Sequence, residues 1–349
     1  MGSFADWFRW AEQAHEIRGD DMAGRTLDLD LDLDLDLDLS ARGGRPMGTS
    51  PRFNTEDWAK LTPVITPPAL PTFKVPTRRY DDWDKDMRAW SYVEEFIRNG
   101  GWGAGTSPID FLKGQIRGQA IFPIPNDPAA PAGAQLDDPK MTTEVRGVVA
   151  SALNRADRAL EIVDQASGAG ALGYWTGMLR LSPSKDPNTF LLMLVARKIG
   201  EYVAMGLKDF YRMRRPAHAY SLIMPIIDGP DTPSYPSSHA LQAYMISGVL
   251  KLALTPSVAP PATWAPGVPV SPVRSTAQAL DMLAYRVAEN REIAGVHYRM
   301  DSLCGDFAAW ECLKKIAALA APLAAPNPPP ANMFHTLVHG AKGELRDLT

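Results

Sequence analysis

A long helical pattern runs from Asn188 to Arg214 and reads NTFLLMLVARKIGEYVAMGLKDFYRMR. Pro187 stands directly before it, where proline is tolerated in the first turn of a helix. Segments of similar texture lie on both sides of it along the chain, and the alternation of apolar and polar residues typical of strands is almost absent outside one repeat. We therefore predict an all-α fold, a bundle of about six to eight main helices.

The other helix predictions rest on the same pattern of apolar and polar residues and on the residues that start and stop helices. Gly100 and Gly101 end the first of these helices, and Thr142, Thr143 and Glu144 stand at the start of another. The predicted helices cover residues 81–99, 109–118, 142–166, 237–254, 275–294 and 296–321, with a last helix from about Asn332.

The N-terminal part of the chain has a different composition. Residues 27–39 alternate Leu and Asp, and residues 53–79 are rich in proline. Strict alternation has the period of a strand, but aspartate is a poor strand former and the repeat is of low complexity. We expect a flexible, solvated segment at 1–52, an extended arm at 53–79, a helical domain at 80–325 and a tail at 326–349.

The composition argues against several classes of protein. Of the 349 residues, 45% are hydrophobic and 22% are charged, which excludes general disorder. The formal charge is −4, and +2 without the six repeat aspartates, so the basic excess of a nucleic-acid binder is missing. No apolar run approaches the roughly 20 residues of a membrane-spanning helix.

The start of the chain and its two cysteines bear on its location. The first residues, MGSFADWFRWAEQ, show neither the basic nor the apolar region of a secretory signal. Cys304 and Cys312 fall on one predicted helix, about 12 Å apart, which is too far for a disulfide. We therefore expect reduced thiols and a cytoplasmic protein.

The first of three chemically interesting motifs ends the long helix. Lys208 and Arg215 are seven residues apart, which on a helix is about 700° of rotation, so they should share one face. Pro216 disfavours helix at the residue before it, which places Arg215 at the C-terminal end. The pair either binds an anion or forms an ordinary cationic helix end.

The second motif is TPSYPSSHALQAY, a proline-rich turn that leads into a helix. The free N–H groups of a helix N-terminus bind anions, and the hydroxyls of Ser237 and Ser238 add donors. His239 lies in the first turn of that helix. Plain N-capping by either serine is the alternative interpretation.

The third motif is NREIAGVHYRMD, which contains Arg291, His297 and Asp301. The i,i+4 spacing of His297 and Asp301 corresponds to one helix face, so the carboxylate can bind one ring nitrogen and leave the other free. Gly295 provides a break that could turn Arg291 and His297 toward one site. A surface His–Asp pair is the alternative.

Taken together, the motifs supply three cations, a helix N-terminus, a hydroxyl and two histidines. A tetrahedral or trigonal-bipyramidal oxyanion with a charge of roughly −2 to −3 requires such a set.

The pattern K-x6-RP, PSxH and R-x5-H-x3-D resembles the superfamily that joins type 2 phosphatidic acid phosphatases, bacterial acid phosphatases and vanadium-dependent haloperoxidases. The resemblance covers Lys208 to Asp301, whereas residues 1–180 carry no matching motif. It implies a helical bundle of the haloperoxidase/acid phosphatase type. The segments SYPSSHA and AGVHYRMD are most similar to the corresponding segments of the bromoperoxidases.

The resemblance also implies roles for single residues. Lys208, Arg215 and Arg291 would hold the equatorial oxygens of the oxyanion, together with the Ser237 hydroxyl and the Ser238 amide.

The remaining roles concern the reacting atoms. His297 would be the axial vanadium ligand or the phosphatase nucleophile, His239 the acid/base group, and Asp301 the residue that orients His297. Three departures stand out: Ser238 replaces a glycine, Asn290 replaces the usual serine, and Thr232 stands where bromoperoxidases carry a histidine.

Three functions are consistent with these residues. We expect a vanadate-bound, haloperoxidase-like enzyme that oxidises halide with hydrogen peroxide in the presence of a small organic substrate, either as a monomer or as a homo-oligomer. The alternatives are a phosphatase that hydrolyses phosphate esters through a phosphohistidine, and a non-catalytic oxyanion-binding protein. His335 and His339 have metal-ligand spacing but no evident third ligand, so we assign them no role.

Overall fold

The structure is a computed structural model, and it describes residues 83–166, 168–255, 260–267, 271–321 and 333–346. The described part of the chain is mostly helical, with one isolated bridge between Ile124 and Gln135 as its strand-type pairing. The prediction of an all-α fold is therefore confirmed.

Eleven α-helices make up the described part of the chain, joined by turns that include two short 3₁₀ segments, Ala152–Asn154 and Ser221–Ile223. In chain order the helices are α1 (Lys85–Asn99), α2 (Pro108–Arg117), α3 (Asp138–Ser151), α4 (Arg155–Asp164), α5 (Gly168–Leu179), α6 (Pro187–Tyr211), α7 (Pro216–Ala219), α8 (Ser238–Leu254), α9 (Thr276–Ala294), α10 (Arg299–Ala320) and α11 (Met333–Glu344).

The N-terminal predictions are not addressed by this structure. The segment 1–52 with its Asp/Leu repeat, and the proline-rich arm 53–79, lie outside the described residues.

Helix α8 lies at the centre of the bundle. It packs against α6, α9 and α10, and most of its residues are buried. A helix that is apolar on nearly all sides must be surrounded by other elements. Gly305 of α10 permits close approach, because a Cβ there would lie 3.0 Å from the Ser237 carbonyl oxygen and from the Leu241 nitrogen. The N-terminus of α8 is thus fixed against α10.

The last helix, α11, belongs to the same body. It packs against α6, α8, α10 and α1, and it buries Phe334, Leu337 and Val338. The Glu344 carboxylate accepts hydrogen bonds from the backbone N–H of Asn188 at 2.9 Å and of Thr189 at 2.7 Å, so it caps the N-terminus of α6. The predicted helix near residue 332 is therefore present.

The prediction of one continuous helix at 142–166 is wrong, because two helices, α3 and α4, cover this segment. Asp137 accepts from the Lys140 N–H at 2.9 Å and starts α3 earlier than expected. A 3₁₀ turn then separates α3 from α4. Arg155, the first residue of α4, donates to the carbonyl oxygens of Ile293 at 2.9 Å and Met224 at 2.8 Å, so tertiary contacts fix the bend.

Other helix boundaries also differ from the predictions, notably the end of α6 and the start of α10. Helix α6 ends at Tyr211 because Arg212 adopts a left-handed conformation with φ of 47°. Helix α10 begins at Arg299 because the Asp301 carboxylate accepts the Tyr298 N–H at 2.9 Å and caps the helix there.

None of the helices in the described ranges combines the length and the apolar character needed to cross a bilayer. Cys304 and Cys312 both lie on α10, where both are buried and free. The prediction that they form no disulfide is confirmed.

Candidate active site

Five charged or titratable side chains are buried where the three motifs meet. Lys208 and Arg291 are each 1% exposed, and Arg215, His297 and Asp301 are also buried. Charged groups are seldom buried unless they are paired or serve a ligand. The structure therefore concentrates at this place the residues that the sequence singled out.

Lys208 comes from the last turn of α6. Its ammonium group donates to the carbonyl oxygen of Pro233 and, at 3.4 Å, to that of Ser234. The turn before α8 is thereby held against α6.

Arg215 reaches the site by a different route from the one predicted. Helix α6 stops at Tyr211, so Arg215 follows a short turn and precedes α7, and the prediction that it shares a helix face with Lys208 is wrong. Its guanidinium donates to the Thr232 carbonyl oxygen at 2.9 Å, to the Thr232 hydroxyl at 3.0 Å and to the Val296 carbonyl oxygen at 3.1 Å. Its Nη1 also lies 3.2 Å from Nε2 of His297.

Arg291 enters from the C-terminal part of α9. Its Nη2 donates to the Ile162 carbonyl oxygen at 2.8 Å. Within the described residues, neither Nε nor Nη1 has a hydrogen-bond partner, although both atoms are buried. Burial lowers the pKa of Arg291 to about 10, which still leaves the guanidinium charged at neutral pH. Buried donors without acceptors are costly, so this group is suited to a ligand with acceptor oxygens.

His297 lies in the turn between α9 and α10. Gly295, with φ of 87°, ends α9 in the left-handed conformation that favours glycine. The predicted placement of His297 and Asp301 on one helix is wrong, because α10 starts only at Arg299. The predicted contact is nevertheless made, since His297 Nδ1 lies 2.9 Å from Asp301 Oδ2.

The neighbours of His297 define its tautomer. Nδ1 faces a carboxylate oxygen of Asp301, which only accepts, and Nε2 faces an N–H of Arg215, which only donates. Nδ1 therefore carries the proton, and Nε2 presents a lone pair.

The charges of three cations act on this imidazole. Burial lowers the pKa of His297 well below its usual value, and the charges of Arg215, Lys208 and Arg291 lower it further. Burial raises the pKa of Asp301 to about 6, although the hydrogen bonds from Ser234 and Tyr298 lower it. At pH 7 the imidazole is therefore neutral and the carboxylate is mostly ionised.

The second motif contributes the N-terminus of α8. Ser237 caps the helix, with its hydroxyl accepting from the Ala240 N–H at 3.3 Å, as the N-capping interpretation predicted, and its own N–H donates to the Asp301 carbonyl oxygen at 3.1 Å. The Ser237 hydroxyl proton is still able to serve a ligand. Ser238 is the first residue of α8 and is half-buried.

His239 follows in the same turn and is also half-buried. Desolvation lowers the pKa of His239 well below the usual value, and the charges of Arg291, His297 and Arg215 lower it further. A hydrogen bond to the backbone of Ala166 raises it in part. His239 is thus a neutral imidazole on which the charges of Arg291 and His297 act, and a neutral imidazole can accept a proton.

Two of the residues that depart from the pattern the sequence resembles make defined contacts. Asn290 is buried; it accepts from Arg158 Nη1 at 2.9 Å and donates to Gln165 Oε1 at 2.9 Å, so it ties α9 to α4. Thr232, in the position of the bromoperoxidase histidine, holds the guanidinium of Arg215 through its carbonyl and hydroxyl oxygens.

Sequence reasoning missed one residue of the site, Ser234. Its hydroxyl donates to Asp301 Oδ2 and lies 3.4 Å from His297 Nδ1. Its position in the sequence could have indicated this role, because Ser234 lies three residues before Ser237 in the turn that belongs to the second motif.

The histidine pair outside the motifs lies on α11. The ring centroids of His335 and His339 are 4.3 Å apart. Across the described ranges, no three His, Cys, Asp or Glu side chains are grouped so that they could hold a metal ion.

No family model matches the chain, and no curated protein matches it significantly. Support for a function therefore comes from the motif residues and from their geometry.

Proposed function

We propose that this chain is a vanadium-dependent haloperoxidase-like enzyme whose pocket binds a tetrahedral oxyanion. The observation that carries the proposal is the buried Arg291 guanidinium, whose charge lowers the pKa of both His297 and His239. Among the described residues it finds no partner for Nε or Nη1. Two acceptor oxygens of an oxyanion would satisfy both donors.

The residues present fit vanadate as the bound group. Lys208, Arg215 and Arg291 would neutralise its oxygens, with the Ser237 hydroxyl as a further donor, and Nε2 of His297 would bind the metal. When bound, vanadate would supply a Lewis acid that activates hydrogen peroxide toward halide without a change in its own oxidation state.

The side chains of this pocket are prepared for such a ligand. The Asp301 carboxylate holds Nδ1–H of His297 and directs the lone pair of Nε2 away from itself. Arg215 Nη1 lies 3.2 Å from Nε2 and faces its lone pair. A bound oxyanion would accept the hydrogen bond of this guanidinium and leave Nε2 free.

His239 is suited to move protons at the site. It is neutral in the protein without ligand because burial and neighbouring cations lower its pKa. An anion bound beside it would raise that pKa, so His239 could accept a proton from a reactant and later return it.

Phosphate-ester hydrolysis is the second candidate, and Thr232 favours it. Thr232 stands where bromoperoxidases carry a histidine, and its hydroxyl accepts a hydrogen bond from Arg215, so this site lacks one feature of the enzymes that it resembles. In hydrolysis, Nε2 of His297 would attack phosphorus and form a phosphohistidine while the ester P–O bond breaks. His239 would protonate the leaving oxygen, and water would then hydrolyse the phosphohistidine to inorganic phosphate.

A parallel assay distinguishes the candidates. The purified chain is tested with and without vanadate for bromination of a phenol by bromide and hydrogen peroxide, and separately for hydrolysis of p-nitrophenyl phosphate. We expect bromination that requires vanadate. Hydrolysis that vanadate inhibits would replace the first candidate by the second, and the absence of both activities would leave oxyanion binding alone.

The site assignment has its own control. His297→Ala should lower either activity by several orders of magnitude, because it removes the nucleophile or the protein–vanadium bond. His335→Ala, on α11, should leave the activity unchanged. Near-normal activity of His297→Ala would contradict the assignment.

A further inference from the structure

Ser234 joins segments from all three motifs. It is fully buried, its N–H donates to the Met213 carbonyl oxygen at 2.7 Å, and its carbonyl oxygen accepts from Lys208 Nζ at 3.4 Å. Its hydroxyl meets Asp301 Oδ2 and lies 3.4 Å from His297 Nδ1. The backbone is fixed on both sides, so the hydroxyl is held against the His–Asp pair.

The hydrogen bonds of the Asp301 carboxylate are unevenly distributed. Oδ2 accepts from the Ser234 hydroxyl, from the Tyr298 N–H at 2.9 Å and from His297 Nδ1 at 2.9 Å. Oδ1 is buried and has no hydrogen-bond partner among the described residues. Each donor on Oδ2 therefore resists a rotation that would bring Oδ1 toward the imidazole.

We propose that Ser234 is a positioning residue that sets the orientation of Asp301 and, through it, the tautomer of His297. The single proton of the Ser234 hydroxyl is given to Oδ2, so its oxygen lone pairs face Nδ1 of the imidazole. Nδ1–H then meets two acceptors. The opposite tautomer would place a bare Nδ1 against the carboxylate and an Nε2–H against the N–H of Arg215.

The consequence for catalysis rests on the proposed function, but the tautomer is a property of the protein without ligand. The proposal is therefore tested without turnover, and its failure is distinguishable from failure of the proposed function.

The test uses the full chain with ¹⁵N-labelled histidine and no added anion. The two ring-nitrogen chemical shifts of His297 are read at one mildly alkaline pH and assigned by their loss in His297→Asn. In the wild type we expect the Nδ1–H tautomer alone. In Ser234→Ala we expect a mixture of both tautomers, because one donor that orients the carboxylate is gone.

Two variants keep the result interpretable. Ser234→Cys places a thiol, a weaker hydrogen-bond donor, in nearly the same space, so it should also give a mixture of tautomers. This variant replaces Ser234→Ala in the test if the alanine variant does not fold. Ser247→Ala is the matched control. That serine is equally buried, accepts from Trp175 Nε1 at 2.8 Å and donates to the Leu280 carbonyl oxygen at 2.8 Å, so its loss disturbs α8 without touching His297.

The outcomes separate positioning from general destabilisation. A single Nδ1–H tautomer in the folded Ser234 variants, or an equal mixture in Ser247→Ala, would overturn the proposal. Where the assay above finds an activity, Ser234→Ala should lower kcat by about 10- to 100-fold with little change in KM, the range for residues that orient a ligating histidine.

Discussion

At the scale of single residues, the site brings three buried cations together with one buried carboxylate among the described motif residues. Lys208, Arg215 and Arg291 are buried around one neutral imidazole, and Asp301 is the carboxylate in contact with it. Such an arrangement costs stability in the free protein, and an anion that enters should restore it. We therefore expect an anion to bind among these side chains.

The Lys208 ammonium group provides the sharpest test of this interpretation. Lys208→Ala should weaken phosphate or vanadate binding by about 2–4 kcal/mol, the range for a lost charged partner in a preorganised site. This corresponds to a roughly 30- to 1000-fold higher dissociation constant, measured by calorimetry. Lys208→Arg should restore only part of the affinity, because a planar guanidinium places its donors differently.

Arg214 is the matched control for Lys208. It lies in the same segment but is exposed, so Arg214→Ala should leave the affinity unchanged. Equal losses in both variants would indicate a diffuse basic patch and would contradict a specific pocket.

At the scale of elements, the contact between α8 and α10 positions the anion site. Gly305 lies against the backbone of the first turn of α8, close enough that a Cβ would lie 3.0 Å from two of its backbone atoms. Backbone atoms cannot move aside as side chains do. The glycine is therefore required where Ser237, Ser238 and His239 are held.

We expect Gly305→Ala to destabilise the protein by about 1–3 kcal/mol, as overpacking does, and also to weaken phosphate binding. Denaturant unfolding and calorimetry measure the two effects. Gly248→Ala is the control, because it crowds the Leu313 side chain elsewhere in the same helix pair and should lower stability alone. If Gly305→Ala binds phosphate normally, the helix contact does not position the site.

A second contact between elements predicts a pH effect. Glu144 of α3 accepts from the Met300 N–H at 3.0 Å, and burial raises its pKa to about 7. A carboxyl whose pKa is raised on folding contributes stability below its unfolded pKa and loses that contribution as the pH rises through its folded pKa.

Glu144→Gln should therefore become more stable relative to the wild type between about pH 4.5 and pH 8. The gain should be about 1–3 kcal/mol, a range that allows for partial exposure of the side chain. Urea unfolding at a series of pH values measures it, and Glu94→Gln, at an exposed carboxylate, is the control. A pH-independent difference between Glu144→Gln and the wild type would contradict the prediction.

At the scale of the whole molecule, the described helices bury one extended core, and Ile162, Ile293, Ala294 and Val296 form a small separate cluster. Residues of both α1 and α11 belong to the extended core, and the cap by Glu344 ties the last described helix to the start of α6. The C-terminal helix is therefore part of the folded body.

Two truncations test this description. Deletion of residues 1–52 should change the Tm by no more than a few degrees, because the sequence predicts that this segment buries little apolar surface. Deletion of residues 333–349 should cost on the order of 5 kcal/mol, because Phe334, Leu337 and Val338 are buried. A large drop in Tm for the first deletion would show that 1–52 belongs to the folded body.

The sequence by itself determined the helical class, the approximate place of most helices and the residue types that point to oxyanion chemistry. These properties are local: periodicity, caps and breaks act within a few residues, as the Gly100 end of α1 and the Ser237 cap of α8 illustrate. The catalytic roles of the motif residues stay predictions.

Only the tertiary structure decided how those residues meet. Lys208 and Arg215 converge on the turn at 232–234 rather than along one helix face, and Ser234 enters the site from that turn. Arg291 is buried with two donors unsatisfied by the described residues. Each of these facts depends on contacts between segments far apart in the chain, which local periodicity does not encode.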